Sequence, residues 1–119
     1  MHPWWQAHQA TLIDGGYHVD HCAVFGNHAS GQCWCLFFGL VCWITIHEHK
    51  IGDILHYVDD AFSASFSHDL SLYQPYNCLM PMSQVEFLKL LDEIGLPHEN
   101  AKQQHGSVLE IIGFEVDLS

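Results

Sequence analysis

The sequence predicts an α+β fold, in which antiparallel strands joined as hairpins build a sheet that packs against two helices. Three observations predict it. Apolar runs flank Asp14-Gly15-Gly16, and again flank Asp59-Asp60, as the arms of a hairpin flank its turn. Two longer apolar-rich stretches, near residues 30–47 and 83–95, exceed the usual length of a strand. Hairpins and helices then alternate along the chain instead of segregating.

Thr11-Leu12-Ile13 reads as a strand, Asp14-Gly15-Gly16 as a turn able to adopt positive φ, and Tyr17-His18-Val19-Asp20-His21-Cys22 as the return strand. Phe25-Gly26-Asn27-His28 is a loop, after which Ser30 is placed to cap a helix reaching about His47. The longest apolar stretch, Cys33 to Ile46, is 14 residues long and contains Gly39. A membrane-spanning helix needs about 20, so a buried core element is expected and no membrane partner. Ile54-Leu55-His56-Tyr57-Val58 and Ala61-Phe62-Ser63-Ala64-Ser65-Phe66 are expected to form a buried hairpin with Asp59-Asp60 at its tip.

Residues 69–82 hold two prolines and read as a loop. Ser83-Gln84-Val85-Glu86 has the form of a capping box, a serine and a glutamate satisfying each other's backbone N–H groups. Val85, Leu88, Leu91 and Ile94 then recur at helical spacing, Phe87 and Leu90 widen the stripe, and Gly95 with Pro97 ends the helix. Residues 108–112 and 114–118 flank Gly113 as one bent strand or a hairpin. No repeat or linker interrupts the chain, so residues 1–119 are read as a single domain.

Fourteen acidic residues face three lysines and no arginine, a formal charge of -11. Phosphate neutralisation needs Lys and Arg, so weak or no nucleic-acid binding is expected of these residues by themselves. The eleven histidines are largely uncharged near neutrality. Five cysteines is an odd number, and Met1-His2-Pro3-Trp4-Trp5 lacks the pattern of a secretory leader. Reduced thiols in an intracellular compartment are expected. Trp4, Trp5, Trp34 and Trp43 are expected to include exposed aromatic surface, with self-association or dependence on a partner as the consequence.

Adjacent aspartates between apolar strands call for a physical reason, because neighbouring buried carboxylates repel unless protons or a cation relieve them. A hard cation such as Mg²⁺ suits such oxygens and retains water and substrate phosphates. For a bare Asp-Asp pair the commoner case is a solvated turn. Soft ligands at Cys33-x-Cys35, His47-x-His49 and His18-x-x-His21-Cys22 raise the alternative of a zinc site. Residues two apart on a helix point about 200° apart, which counts against Cys33 with Cys35 sharing an ion.

His56-Tyr57-Val58-Asp59-Asp60 resembles the metal-binding motif of retroelement reverse transcriptases, and further blocks follow the family's order. Phe25-Gly26-Asn27-His28-Ala29-Ser30-Gly31 resembles the loop that opens its template- and nucleotide-contacting helix. Residues 87–95, Leu96-Pro97-His98 and Lys102-Gln103 resemble its following helix and lysine loop, and Ile111-Ile112-Gly113-Phe114-Glu115-Val116-Asp117 its primer-gripping hairpin.

The resemblance implies part of a polymerase palm acting in RNA-directed DNA synthesis by a two-metal mechanism. Template-primer and deoxynucleoside triphosphate would be its ancestral partners. Asp59 would be the first Mg²⁺ (or Mn²⁺) ligand and Asp60 a weaker second. Tyr57 and Val58 would shape the turn against the primer end, and Gly26, after Phe25, would permit close backbone approach. Lys102 would lie near the incoming phosphates, and Gly113 would turn the primer-gripping hairpin. The sequence departs from the family in lacking its earlier carboxylate strand, fingers and thumb. His21 and His28 stand where arginine is usual and Gly31 where proline is. Histidine cannot replace the bidentate phosphate contacts of arginine. A catalytically silent fragment is therefore expected, with a domesticated interaction protein as the alternative.

Overall fold

The computed structural model describes residues 1–119, which divide into two compact units, Met1–Phe37 and Phe38–Ser119. The first opens with a one-turn helix, α1 (Pro3–Gln6), where His2 accepts the Trp4 N–H. Strands β1 (Ala10–Ile13) and β2 (Gly16–Val19) pair antiparallel, with Leu12 opposite Tyr17. Asp14 and Gly15 connect them at φ 50° and 79°. Positive φ at both central residues marks the tight turn whose twist matches the strands. Gly16 thus belongs to the strand, and β2 ends at Val19 instead of Cys22. Beyond that point local bonds take over: Asp20 accepts the Cys22 N–H at 2.9 Å, and Gln9 Nε2 donates to both the Asp20 and Cys22 carbonyls.

Helix α2 (His28–His47) ends where the sequence placed its end but starts earlier. Its cap is Asn27, whose Oδ1 accepts the Ala29 N–H at 3.0 Å, and Ser30 lies inside the first turn. Within this 20-residue helix an 18-residue window has mean hydropathy 1.6, long and apolar enough to cross a membrane by length and composition. The expected core role holds for Phe38, Val41, Cys42 and Thr45 alone, the last donating its hydroxyl to the Val41 carbonyl.

The second unit holds β3 (Ile54–Tyr57), β4 (Asp60–Ser63), β5 (Leu70–Tyr73), β6 (Cys78–Pro81), α3 (Met82–Ile94), β7 (Val108–Ile111) and β8 (Phe114–Asp117). Strands pair only with their sequence neighbours, so the expected sheet is instead a set of four separate two-stranded hairpins. The α+β class stands; the continuous sheet does not. Each hairpin is closed by its own turn, whereas joining hairpins edge to edge would require long-range ladders that do not form.

Residues 69–82, expected as a loop, instead supply the hairpin that carries the core. Pro75 falls in the connecting 3-10 turn and Pro81 at the end of β6, two places where a missing N–H costs no ladder bond. Leu72 pairs with Leu79 on the outer face, while Tyr73 and Met80 are buried with Val85, Leu88, Leu90 and Leu91 of α3 and Val41 of α2. The expected capping box does not form. α3 starts directly after Pro81, the Met82 N–H is taken by the Asp69 carbonyl at 2.8 Å, and Glu86 pairs with Lys89.

The other end behaves as expected. Gly95, at φ 75°, donates to the Asp92 carbonyl and Leu96 to that of Leu91, while Leu96 folds onto the core beside Leu91. This double closure needs a left-handed residue that glycine supplies without a Cβ penalty. β7 and β8 meet through Ile112 and Gly113 at φ 53° and 76°, which makes residues 108–118 a hairpin and not a bent strand.

Leu88 is 1% exposed at the centre of this core. Leu88→Ala is expected to lower unfolding free energy by about 2–5 kcal/mol, read as a shifted urea midpoint at unchanged slope.

Candidate metal-binding turn

Tyr57 lies opposite Asp60 in the β3–β4 register, leaving Val58 and Asp59 as the two residues of the turn. Val58 sits at φ 53°. A β-branched side chain there stores strain of about 1–3 kcal/mol. At the base of the ribbon Ile54 is buried and Ser63 donates to the Asp53 carbonyl at 2.7 Å, while one rung from the tip the His56 ring meets the Phe38 ring edge-on at 5.4 Å. His56 Nδ1 is buried without a hydrogen-bond partner.

Towards the tip the ribbon opens to solvent, and Tyr57, Val58, Asp59 and Asp60 are all exposed. The expected buried hairpin is therefore corrected: a two-stranded ribbon can lay one face on α2, and nothing covers the other. The two exposed carboxylates escape the desolvation that would otherwise demand a counter-ion.

The remaining candidates lie elsewhere. Lys102 ends a 3-10 turn (Asn100–Lys102) and points Nζ at Glu99 from 3.8 Å, an exposed pair of small energetic value. Gly113 turns the β7–β8 hairpin. Phe25 and Gly26 belong to the first unit, Phe25 fully exposed and Gly26 at φ 83° with open space where a Cβ would stand. The turn thus brings together Tyr57, Val58, Asp59 and Asp60 and does not recruit Lys102.

No three His, Cys, Asp or Glu side chains converge as a metal-binding group. Asp59 and Asp60 offer oxygens that suit Mg²⁺ or Mn²⁺. Two carboxylates without a third do not fit a two-metal centre, so no catalytic step follows from these residues alone. The zinc alternative meets the same obstacle. α2 ends at His47, so His49 lies outside the helix, yet no further ligand joins the two.

A polar cluster that the sequence reading missed lies where β5, the 3-10 turn Gln74–Tyr76, the end of α3 and the following segment meet. Tyr73 donates its hydroxyl to Asp92 Oδ2, His98 Nε2 lies 2.7 Å from Asp92 Oδ1, and the Tyr76 hydroxyl meets His98 Nδ1 and, at 3.1 Å, the His98 carbonyl. The only signal in the sequence was an acid in the last turn of α3 with Pro97-His98 after it. The Tyr73 bond, followed by His98, holds the Asp92 carboxyl below the usual carboxylate range. Burial, then Asp92, pushes the Tyr73 hydroxyl well above the usual phenol range, and burial, then Asp92 and Glu99, raises that of Tyr76.

No family model, curated protein or solved structure matches the chain.

Replacing Val58 with Asn, which tolerates left-handed backbone, is expected to raise stability by about 1 kcal/mol, measured as a shifted denaturation midpoint. A depressed Asp92 contributes stability above about pH 4 that is lost as pH falls through its folded value, and raised tyrosines contribute below about pH 10 and lose it above. Melting temperature against pH is expected to plateau between these limits, with Tyr73→Phe flattening the acid limb.

Proposed function

We propose that these residues are the metal-site part of a reverse-transcriptase palm from a retroelement, an RNA-directed DNA polymerase, and that they are catalytically silent on their own. One observation carries the reading. Adjacent carboxylates occupy the tip of an antiparallel ribbon, directly after Tyr57-Val58, where divalent ions and phosphates have free access. The order of the following elements supports it: a helix at Met82–Ile94, a lysine-bearing turn ending at Lys102, and a hairpin turning at Gly113.

In the family's reaction a primer 3′-hydroxyl attacks a nucleoside triphosphate, and two metal ions steady the charge. Asp59 and Asp60 would hold Mg²⁺ or Mn²⁺ there only together with the carboxylate of the family's preceding strand. The charge of -11 supports the silent reading, since template-primer would meet repulsion where a working palm presents cations. A second reading, an interaction protein that keeps the fold without the chemistry, draws support from the apolar surface. Leu36, Leu40 and Trp43 of α2 and Leu72 with Leu79 of the β5–β6 hairpin are all exposed.

Primer extension on an RNA template, with Mg²⁺ or Mn²⁺ and all four nucleotides, is expected to give no product, with Asp59→Asn indistinguishable from the parent. Metal-dependent extension abolished by Asp59→Asn would show a working enzyme and overturn the silent part of the proposal. Extension that survives Asp59→Asn would remove Asp59 from the site.

A further inference from the structure

After Leu96 closes the end of α3, the chain turns and runs back along the helix. His98 reaches Asp92 near the helix C-terminus, and Gln103 accepts a hydrogen bond from Gln84 Nε2, at 3.1 Å, near the N-terminus. Residues 99–102 are exposed, so Leu96 apart, this strap is held by polar contacts. Such a segment can open without unpacking the core.

We propose that Tyr73, Tyr76, Asp92 and His98 form a clasp that holds residues 96–103 on α3, keeps its hydrogen bonds with His98 in either charge state, and opens ahead of the rest of the fold when Asp92 takes up a proton. The groups facing one another are Tyr73 from β5, Tyr76 from the 3-10 turn, Asp92 from α3, and His98 and Glu99 from the strap.

The hydrogen bonds set the proton positions. His98 Nε2 faces a carboxylate at 2.7 Å and must donate to it. With His98 neutral, Nδ1 accepts from the Tyr76 hydroxyl. With His98 charged, Nδ1–H donates to the Tyr76 oxygen, and the tyrosine hydrogen swings to the His98 carbonyl at 3.1 Å. Turning one hydroxyl therefore keeps the clasp satisfied in both charge states. Asp92 has no such alternative. Its two oxygens accept from Tyr73 and His98, and a proton on either removes the charge that strengthens both bonds. The strap carries Lys102 together with its partner Glu99, so opening also moves the side chain that the polymerase reading places near phosphates, although the clasp does not depend on that reading.

Amide hydrogen exchange, corrected for intrinsic rates, tests this on the full chain. The Lys102 and Gln103 amides are bonded within the strap, to the Glu99 and Asn100 carbonyls, and report its closure. Their protection is expected to be no lower at about pH 5.5 than at about pH 7.5, and to fall about threefold by about pH 3.5, the most that protonating a carboxyl of ordinary open-state pKa, about 3.9, allows there. Val85, Leu88 and Leu91 are expected to keep theirs. Asp92→Asn is expected to open the strap at neutral pH over an intact core. Strap opening already at about pH 5.5, simultaneous loss in strap and core, or a protected strap in Asp92→Asn would each overturn the proposal. Should that variant not fold, Tyr73→Phe, which deletes one hydrogen bond to Asp92, decides by the same comparison.

Discussion

The fold of the second unit depends on one apolar contact, the face of α3 against the inner face of the β5–β6 hairpin. Val85, Leu88 and Leu91 recur at helical spacing and meet Tyr73 and Met80, which the strand alternation turns to the same side. An isolated two-stranded hairpin is marginal in water. Covering it with a helix removes enough apolar surface to hold both elements, and Leu96 extends the contact past the helix end. The polar clasp of Tyr73, Asp92 and His98 is possible only because this packing brings β5 to the end of α3.

Every other hairpin is a local solution with no comparable cover. Their turns set them: Asp14-Gly15 and Ile112-Gly113 take positive φ at both central residues, and Val58 does so at one. Turn chemistry can specify which strands pair within a hairpin, but it says nothing about what lies on the hairpin's faces. Leu55, Leu72, Leu79 and Phe114 are left in solvent, as are Leu36, Leu40 and Trp43 on α2. Apolar surface on this scale is the physical basis for expecting a partner or self-association.

The acidic turn draws its character from the same arrangement. Because the β3–β4 ribbon is anchored through one face, by Ile54 at its base and His56 on Phe38, and uncovered at its tip, Asp59 and Asp60 project where a cation could reach them. Exposure makes the pair cheap to keep and also leaves it short of ligands. The strain at Val58 is the one local feature that the turn holds against its own residue preference. With twelve acids against three lysines in residues 38–119, the electrostatics disfavour phosphates except where metal ions intervene.

The sequence by itself determined the features that are local in origin. The turns near Asp14-Gly15 and Asp59, the end of α2 near His47 and the glycine-closed end of α3 follow from side-chain chemistry within a few residues, while the exact turn residues, and the hairpin in place of a bent strand at Gly113, came from the pairing of the strands. Tertiary structure decided the rest. Residues 69–82 became a core hairpin because Tyr73 and Met80 found α3, overriding two prolines that happened to fall where no N–H was needed. Ser83 has no capping role because the helix starts one residue earlier, at Met82, whose N–H the Asp69 carbonyl takes. The Tyr73–Asp92–His98–Tyr76 cluster spans 25 residues of sequence, so only the folded chain could assemble it. Short-range preferences are written in adjacent residues, whereas contacts between distant residues are won by whichever packing buries the most apolar surface.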